Sequence, residues 1–204
     1  MGTTSMRFLI YLFSILVYSS TTTALSLTDA NNGTRFTIDP NTLAVNAQIA
    51  KNTSIIISTG LASAQVSELT ETNELLKWRR DNVQIEAFME KDIFVMRFTR
   101  TTPGDIIWPQ TPSGAKALIL PLSEGSYIPT MDAQWRQLLQ NDYQHINTTQ
   151  DLSLPAIGFD YGNHVVSVIY ANPFNNSIEF KSDNTGVAVS SKHHFTHLDQ
   201  TRPF

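Results

Sequence analysis

The chain has 204 residues, 14 basic and 18 acidic side chains, a formal net charge of −4, no cysteine and 16% charged residues. That length suits one domain, and charge this sparse excludes a charge-rich coiled coil or a charged disordered tail. Net acidity without a basic run argues against nucleic acid as a partner, and the missing cysteines exclude disulfides, thiolate metal sites and cysteine nucleophiles.

In chain order, the first element is a leader. Arg7 precedes an eleven-residue apolar run from Phe8 to Tyr18, broken only by Ser14. A polar stretch from Ser19 to Thr23 follows, with Thr22 and Ala24 small enough for a signal peptidase. This predicts a signal peptide over 1–24, hence a secreted, extracellular or periplasmic protein with no membrane attachment after cleavage. The run is short for spanning ~30 Å of hydrocarbon. Four sequons, at Asn32, Asn52, Asn147 and Asn175, matter only in a eukaryotic secretory pathway. Residues 25–34 read as a flexible N-terminal segment, and 35–204 as a β-sandwich domain.

The composition supports strands. Thr (23), Ser (18) and Asn (14) together make up 55 residues, and these side chains compete for backbone hydrogen bonds and disfavour helices. Val83, Ile85, Ala87 and Met89 alternate with polar residues and share one face of a strand. A second strand from Ile93 follows the short polar connection Glu90 to Asp92, so the pair reads as a hairpin. Further strands are predicted at 35–38, 45–50, 54–58, 65–69, 75–79, 106–108, 117–120, 156–159, 165–171, 177–181 and 186–191. Turn residues such as Asp39-Pro40, Pro103-Gly104, Tyr161-Gly162 and Asp183-Asn184 punctuate them. One segment departs from the period. Trp135, Leu138 and Leu139 lie at i, i+3 and i+4 after Thr130 and Asp132, which predicts a short capped surface helix near 132–140. The fold class is therefore mainly all-β: a two-layer antiparallel sandwich or supersandwich carrying one short helix.

Residues that could carry chemistry are few. His193, His194 and His197 form the one histidine cluster, but in a strand His193 and His197 stand ~13 Å apart, too far for one ion. No metal or cofactor is expected, and the phosphate-loop, dinucleotide and nucleophile-elbow motifs are missing. Glu124 sits in an unusual stretch, Leu120 to Pro129, with two prolines and a glycine among apolar residues. It suits a sugar-binding or catalytic carboxylate, or more simply a structural partner for Arg97, Arg136 or backbone N–H groups. Glycoside hydrolysis needs a second carboxylate ~5–10 Å away, with Asp132 and Asp160 the candidates. A mutarotase-like enzyme needs a His/Glu pair, for which His145 or His164 with Glu124 qualifies. Trp78, Trp108, Tyr127, Trp135, Tyr161 and Tyr170 suit either a core or a stacking platform for sugar rings. The candidate substrate-contacting set is Glu124, Tyr127, Trp135 and Tyr161.

Several stretches carry a resemblance. Ile107 to Pro109, Ala117 to Pro129, Asp132 to Trp135, Asp151 to Gly162 and Asn172 to Asn176, in this order, resemble the N-terminal β-sandwich module of large secreted bacterial glycoside hydrolases. That module is similar to the galactose-mutarotase-like supersandwich that precedes a catalytic (β/α)₈ barrel. The resemblance implies that catalytic carboxylates belong to a barrel beyond this chain, so no catalytic residue is assigned here. It also implies a shaped loop at Glu124, Gly125 and Tyr127 near the sandwich–barrel boundary. The expected partners are carbohydrate and a downstream catalytic domain, with a free-standing carbohydrate-binding module as the alternative. An apolar patch formed by Phe195, Leu198 and Phe204 is expected where a barrel would dock.

Overall fold

The computed structural model describes residues 24–50, 53–196 and 201–203. The proposed leader lies outside them except for Ala24, as do His197, Leu198 and Phe204. Among the described residues the protein is all-β, with one helix, and every strand pairing is antiparallel.

Sheet I is a meander of β1 (Leu25–Thr28), β2 (Arg35–Ile38), β3 (Val45–Ala50) and β4 (Thr53–Ser58). Its first strand corrects the expectation of a flexible segment over 25–34. Leu25 and Leu27 alternate into the core, and Thr28 pairs with Arg35 around a turn closed by Asp29. Sheet II runs β17 (Thr201–Pro203), β8 (Ile93–Arg100), β7 (Val83–Glu90), β6 (Leu75–Arg80) and β5 (Val66–Glu71). The β7–β8 hairpin pairs Glu90 with Ile93, so Lys91 and Asp92 form a two-residue loop. Both have positive φ, 45° and 67°, the geometry whose twist matches that of the flanking strands.

Sheet III contains β12 (Ile146–Asn147), β15 (Asn176–Asp183), β16 (Gly186–Phe195) and β9 (Gly104–Thr111). It adjoins sheet I edge to edge: Thr59 N–H donates to Gln110 O at 2.8 Å, and the Thr111 hydroxyl donates to Ile57 O at 3.0 Å. Sheet IV has β11 (Ser126–Pro129), β10 (Ala117–Leu120), β13 (Ala156–Asp160) and β14 (Val165–Ile169), in that order. The inner faces of all four sheets contribute to one apolar core, from Leu25 through Trp78, Phe98 and Trp108 to Phe159 and Val189. Burial on this scale drives folding of a chain this size.

The helix α1 (Ala133–Asn141) begins where the sequence predicts, with Asp132 accepting from Gln134 and Trp135 N–H. Leu139 is buried, Trp135 and Leu138 are half-buried, and the helix packs on β15.

Nearby, the β15–β16 turn is pinned by Asp183. Its carboxylate accepts from the Ser113 hydroxyl at 2.6 Å, and from the Thr185 hydroxyl and N–H at 2.6 and 2.7 Å. These donors, Ser113 foremost, hold Asp183 down at about 2. A depressed carboxylate adds stability above its unfolded pKa of roughly 3.9, and that contribution is lost as pH falls through the folded value. An NMR titration of the Asp183 carboxyl is expected to show a midpoint near 2, moving up toward the ordinary range in Ser113→Ala. An unchanged midpoint in the variant would remove Ser113 as the main cause.

The histidine run divides between two faces of β16, as strand alternation requires. His193 is fully buried, with Nδ1 2.9 Å from Asn176 Oδ1 and Nε2 2.5 Å from Trp108 O. His194 faces the other way, 2.7 Å from Asp105. Phe195 is buried beneath the Arg100 guanidinium, which corrects its expected place in an exposed patch: β16 pairs with β9 as far as Phe195 and Gly104, so its inward position is covered by its own domain.

Candidate functional site

The outer face of sheet IV brings together the largest share of the predicted site. Leu118, Leu120, Ile128, Ile157 and Phe159 point into the core, so strand parity turns Tyr127, Ala117, Ile119, Gly158 and Asp160 outward. Tyr127 is aligned with Ile119 and Gly158, while Asp160 is aligned with Ala117. The Tyr127 hydroxyl nonetheless donates to Asp160 Oδ2 at 2.7 Å, so the side chain crosses β10 diagonally. Small residues make room for this. Ala117 lies on the path and is fully covered, and the Ile119 side chain leans over Gly158, where an added Cβ would stand 3.0 Å from Ile119 Cβ. Tyr127 keeps 59% of its surface exposed, and Ile119 keeps 38%.

Asp160 is the polar centre of the face. Its second oxygen accepts from Gly162 N–H at 2.6 Å within the β13–β14 loop. The Tyr127 hydrogen bond, helped by Gly162 and by the nearby Lys116 and His164, holds the Asp160 carboxyl below the usual range. The same bond raises the Tyr127 phenol. Lys116 donates its backbone N–H to Asp160 O at 2.7 Å and lays its exposed ammonium against Gly162, whose missing Cβ leaves the space. Tyr161 is half-buried against the core and stacks on His164, with centroids 5.2 Å apart and planes 23° from parallel. Burial pushes its phenol up. His164 Nε2 is enclosed and has no hydrogen-bond partner among the described residues.

The rest of the predicted set separates. Glu124 is exposed at the tip of the β10–β11 connection, where Ser123 and Gly125 have positive φ and Gly125 N–H donates to Leu122 O at 2.8 Å. Its expected arginine partners are engaged elsewhere: Arg97 pairs with Glu86 at 3.2 Å, and Arg136 donates to Asp183 O. Trp135 sits on α1 rather than on sheet IV. His145 lies 3.5 Å from Glu179, so neither it nor His164 pairs with Glu124. Asp132 is a helix cap. Trp78, Trp108 and Tyr170 are core residues. Lys116 and Ile119 escaped sequence reasoning, although the alternation of Ala117 to Leu120 puts Ile119 opposite two core leucines.

A second feature lies beside the free edge of β14. An apolar cleft of about 420 Å³ opens there, lined by Phe36, Ile93, Phe94, Trp108, Val166 and Val168 among others. Phe36 and Phe94 stack on each other in its wall, with centroids 4.4 Å apart. Ile93, Val165 and Ile169 stand exposed around its mouth.

No known protein family matches the sequence, and no curated protein sequence matches it either. Among solved structures, the chain is similar to the α-N-acetylgalactosaminidase NagBb of Bifidobacterium bifidum in its GalNAc complex, with a TM-score of 0.65 at 12% identity. The likeness covers 88% of this chain and 35% of NagBb, so the chain spans about a third of that enzyme. At that identity the likeness is one of fold: the β-domain described above has the architecture of part of a glycoside hydrolase.

Proposed function

We propose that this chain serves as a non-catalytic β-sandwich domain of a secreted, glycan-degrading glycoside hydrolase, flanking and supporting a catalytic domain. The observation that carries this reading is the likeness of nearly the whole chain to about a third of NagBb. The carboxylates agree with it. Hydrolysis of a glycosidic bond normally takes two carboxyl groups facing one substrate. Here Asp132 caps a helix, Asp160 is tied to Tyr127 and Gly162, and Glu124 stands on an exposed turn. The apolar cleft beside β14, with its exposed Ile93, Val165 and Ile169, is the kind of surface a neighbouring domain covers.

The test is a hydrolysis assay on the pure chain with a panel of nitrophenyl glycosides, α-N-acetylgalactosaminide included, and oligosaccharides. No sugar release is expected. Release that is abolished by Glu124→Gln would overturn the non-catalytic reading. A free-standing carbohydrate-binding module is the second reading, favoured by the exposure of Tyr127 on the outer face of sheet IV.

A further inference from the structure

We infer that the outer face of sheet IV is a binding site for a neutral pyranose, with Tyr127 as the stacking platform and Asp160 and Lys116 as the hydroxyl-binding pair. The inference rests on the glycan-related reading above and adds the ligand and the residues that hold it.

The geometry of Tyr127 is unusual for a surface tyrosine. An exposed aromatic ring is ordinarily free to change rotamer, which makes any contact costly in entropy. This one is anchored at its far end by the 2.7 Å bond to Asp160, and its path across β10 is floored by Ala117. The ring is thus held over the sheet before any ligand arrives. Ile119 extends the same surface in register with Tyr127. A pyranose has an apolar face of C–H groups and an equatorial rim of hydroxyls, so a fixed aromatic face beside fixed polar groups matches both parts.

The polar groups are disposed for hydroxyls. Each Asp160 oxygen already accepts one bond, from Tyr127 or from Gly162, and each keeps a second acceptor position. Lys116 lays its ammonium against Gly162, whose own N–H donates to the same carboxylate, and so brings donors to this site. A carboxylate and an ammonium at one site favour a neutral ligand: an acidic sugar would meet the ionised Asp160, and a cationic one would meet Lys116. The glycine at 162 gives the Lys116 chain its place, since a Cβ there would collide with it.

The experiment uses the whole chain, isotope-labelled, titrated with methyl glycosides and short oligosaccharides of galactose, N-acetylgalactosamine, glucose and mannose. Binding by at least one of them is expected to shift the backbone amides of Ile119, Gly158 and Gly162, leaving those of sheet II unmoved. Tyr127→Ala is expected to weaken binding by roughly tenfold or more, the size of a lost aromatic contact. Tyr127→Phe keeps the ring but frees it, and is expected to fall between wild type and Tyr127→Ala. Asp160→Asn is expected to weaken binding while leaving the fold intact, because both its contacts are at the surface. No shift with any of these sugars at millimolar concentration, or binding equal to wild type in Tyr127→Ala, would overturn the site. That outcome leaves the supporting-domain reading standing, whereas sugar hydrolysis by the chain alone overturns that reading and leaves this site standing.

Discussion

Replacing Trp108 by alanine is expected to lower the unfolding free energy by about 4 kcal/mol, seen as a drop in urea midpoint at unchanged slope. The magnitude follows from where the ring stands. Trp108 is on β9 of sheet III, packs at 5.6 Å and a 54° tilt on Phe98 of sheet II, and donates its indole N–H to Leu43 O beside sheet I at 3.0 Å. Truncation therefore opens a cavity where three sheets meet and leaves a buried carbonyl without its donor. Tyr127→Ala is the control. Its ring lies on the outer surface, so its loss is expected to change stability by about 0.5 kcal/mol or less. Equal losses in the two variants would refute this division into core and surface aromatics.

His193→Leu is expected to cost about 3 kcal/mol, because the leucine fills the space and supplies no donor. The network around His193 is closed on both sides. Asn176 donates its amide N–H to Asn172 O at 2.6 Å, which turns its Oδ1 toward His193. Trp108 O stands at the other ring nitrogen. A neutral imidazole carries one N–H, which serves one of these two oxygens. The leucine variant removes the ring N–H, so the oxygen it serves loses that donor in the core. His193→Gln restores one amide donor and is expected to recover part of the loss. Urea titration of the three proteins checks the ranking, and a leucine variant as stable as wild type would show that these contacts contribute nothing.

Much of the local structure was legible before any fold was known. The alternation of Val83 to Met89, the Lys91–Asp92 loop, the Asp132 cap and most strand positions follow from side-chain period, turn chemistry and capping, all set by residues within a few positions of each other. Four strands escaped: β12 and β17 span only two and three residues, and the other two escaped for physical reasons. Leu25–Thr28 carries only two apolar residues, and its stability comes from pairing with β2 and from burial on a core built by later strands. Ser126–Pro129 holds a proline and follows a glycine turn, so it reads as loop, yet its edge position needs no ladder bond from Pro129. The candidate site was legible in part: Tyr127 and Tyr161 fall at one end of sheet IV, whereas Glu124 and Trp135 belong to a turn and a helix.

By itself, then, the sequence determined an antiparallel all-β chain with one capped helix and no thiol chemistry. Local period and composition are enough for those conclusions, because they depend on neighbours along the chain. Only the tertiary structure decided which face of each strand is inward, and with it the burial of His193 and Phe195 and the exposure of Tyr127. Period 2 says which residues share a face, but the partner that covers that face comes from strands far away in sequence. Tyr127 and Asp160 are the sharpest case. They are 33 residues apart on strands that never pair, and they meet because β10 lies between them and presents an alanine where the tyrosine must cross.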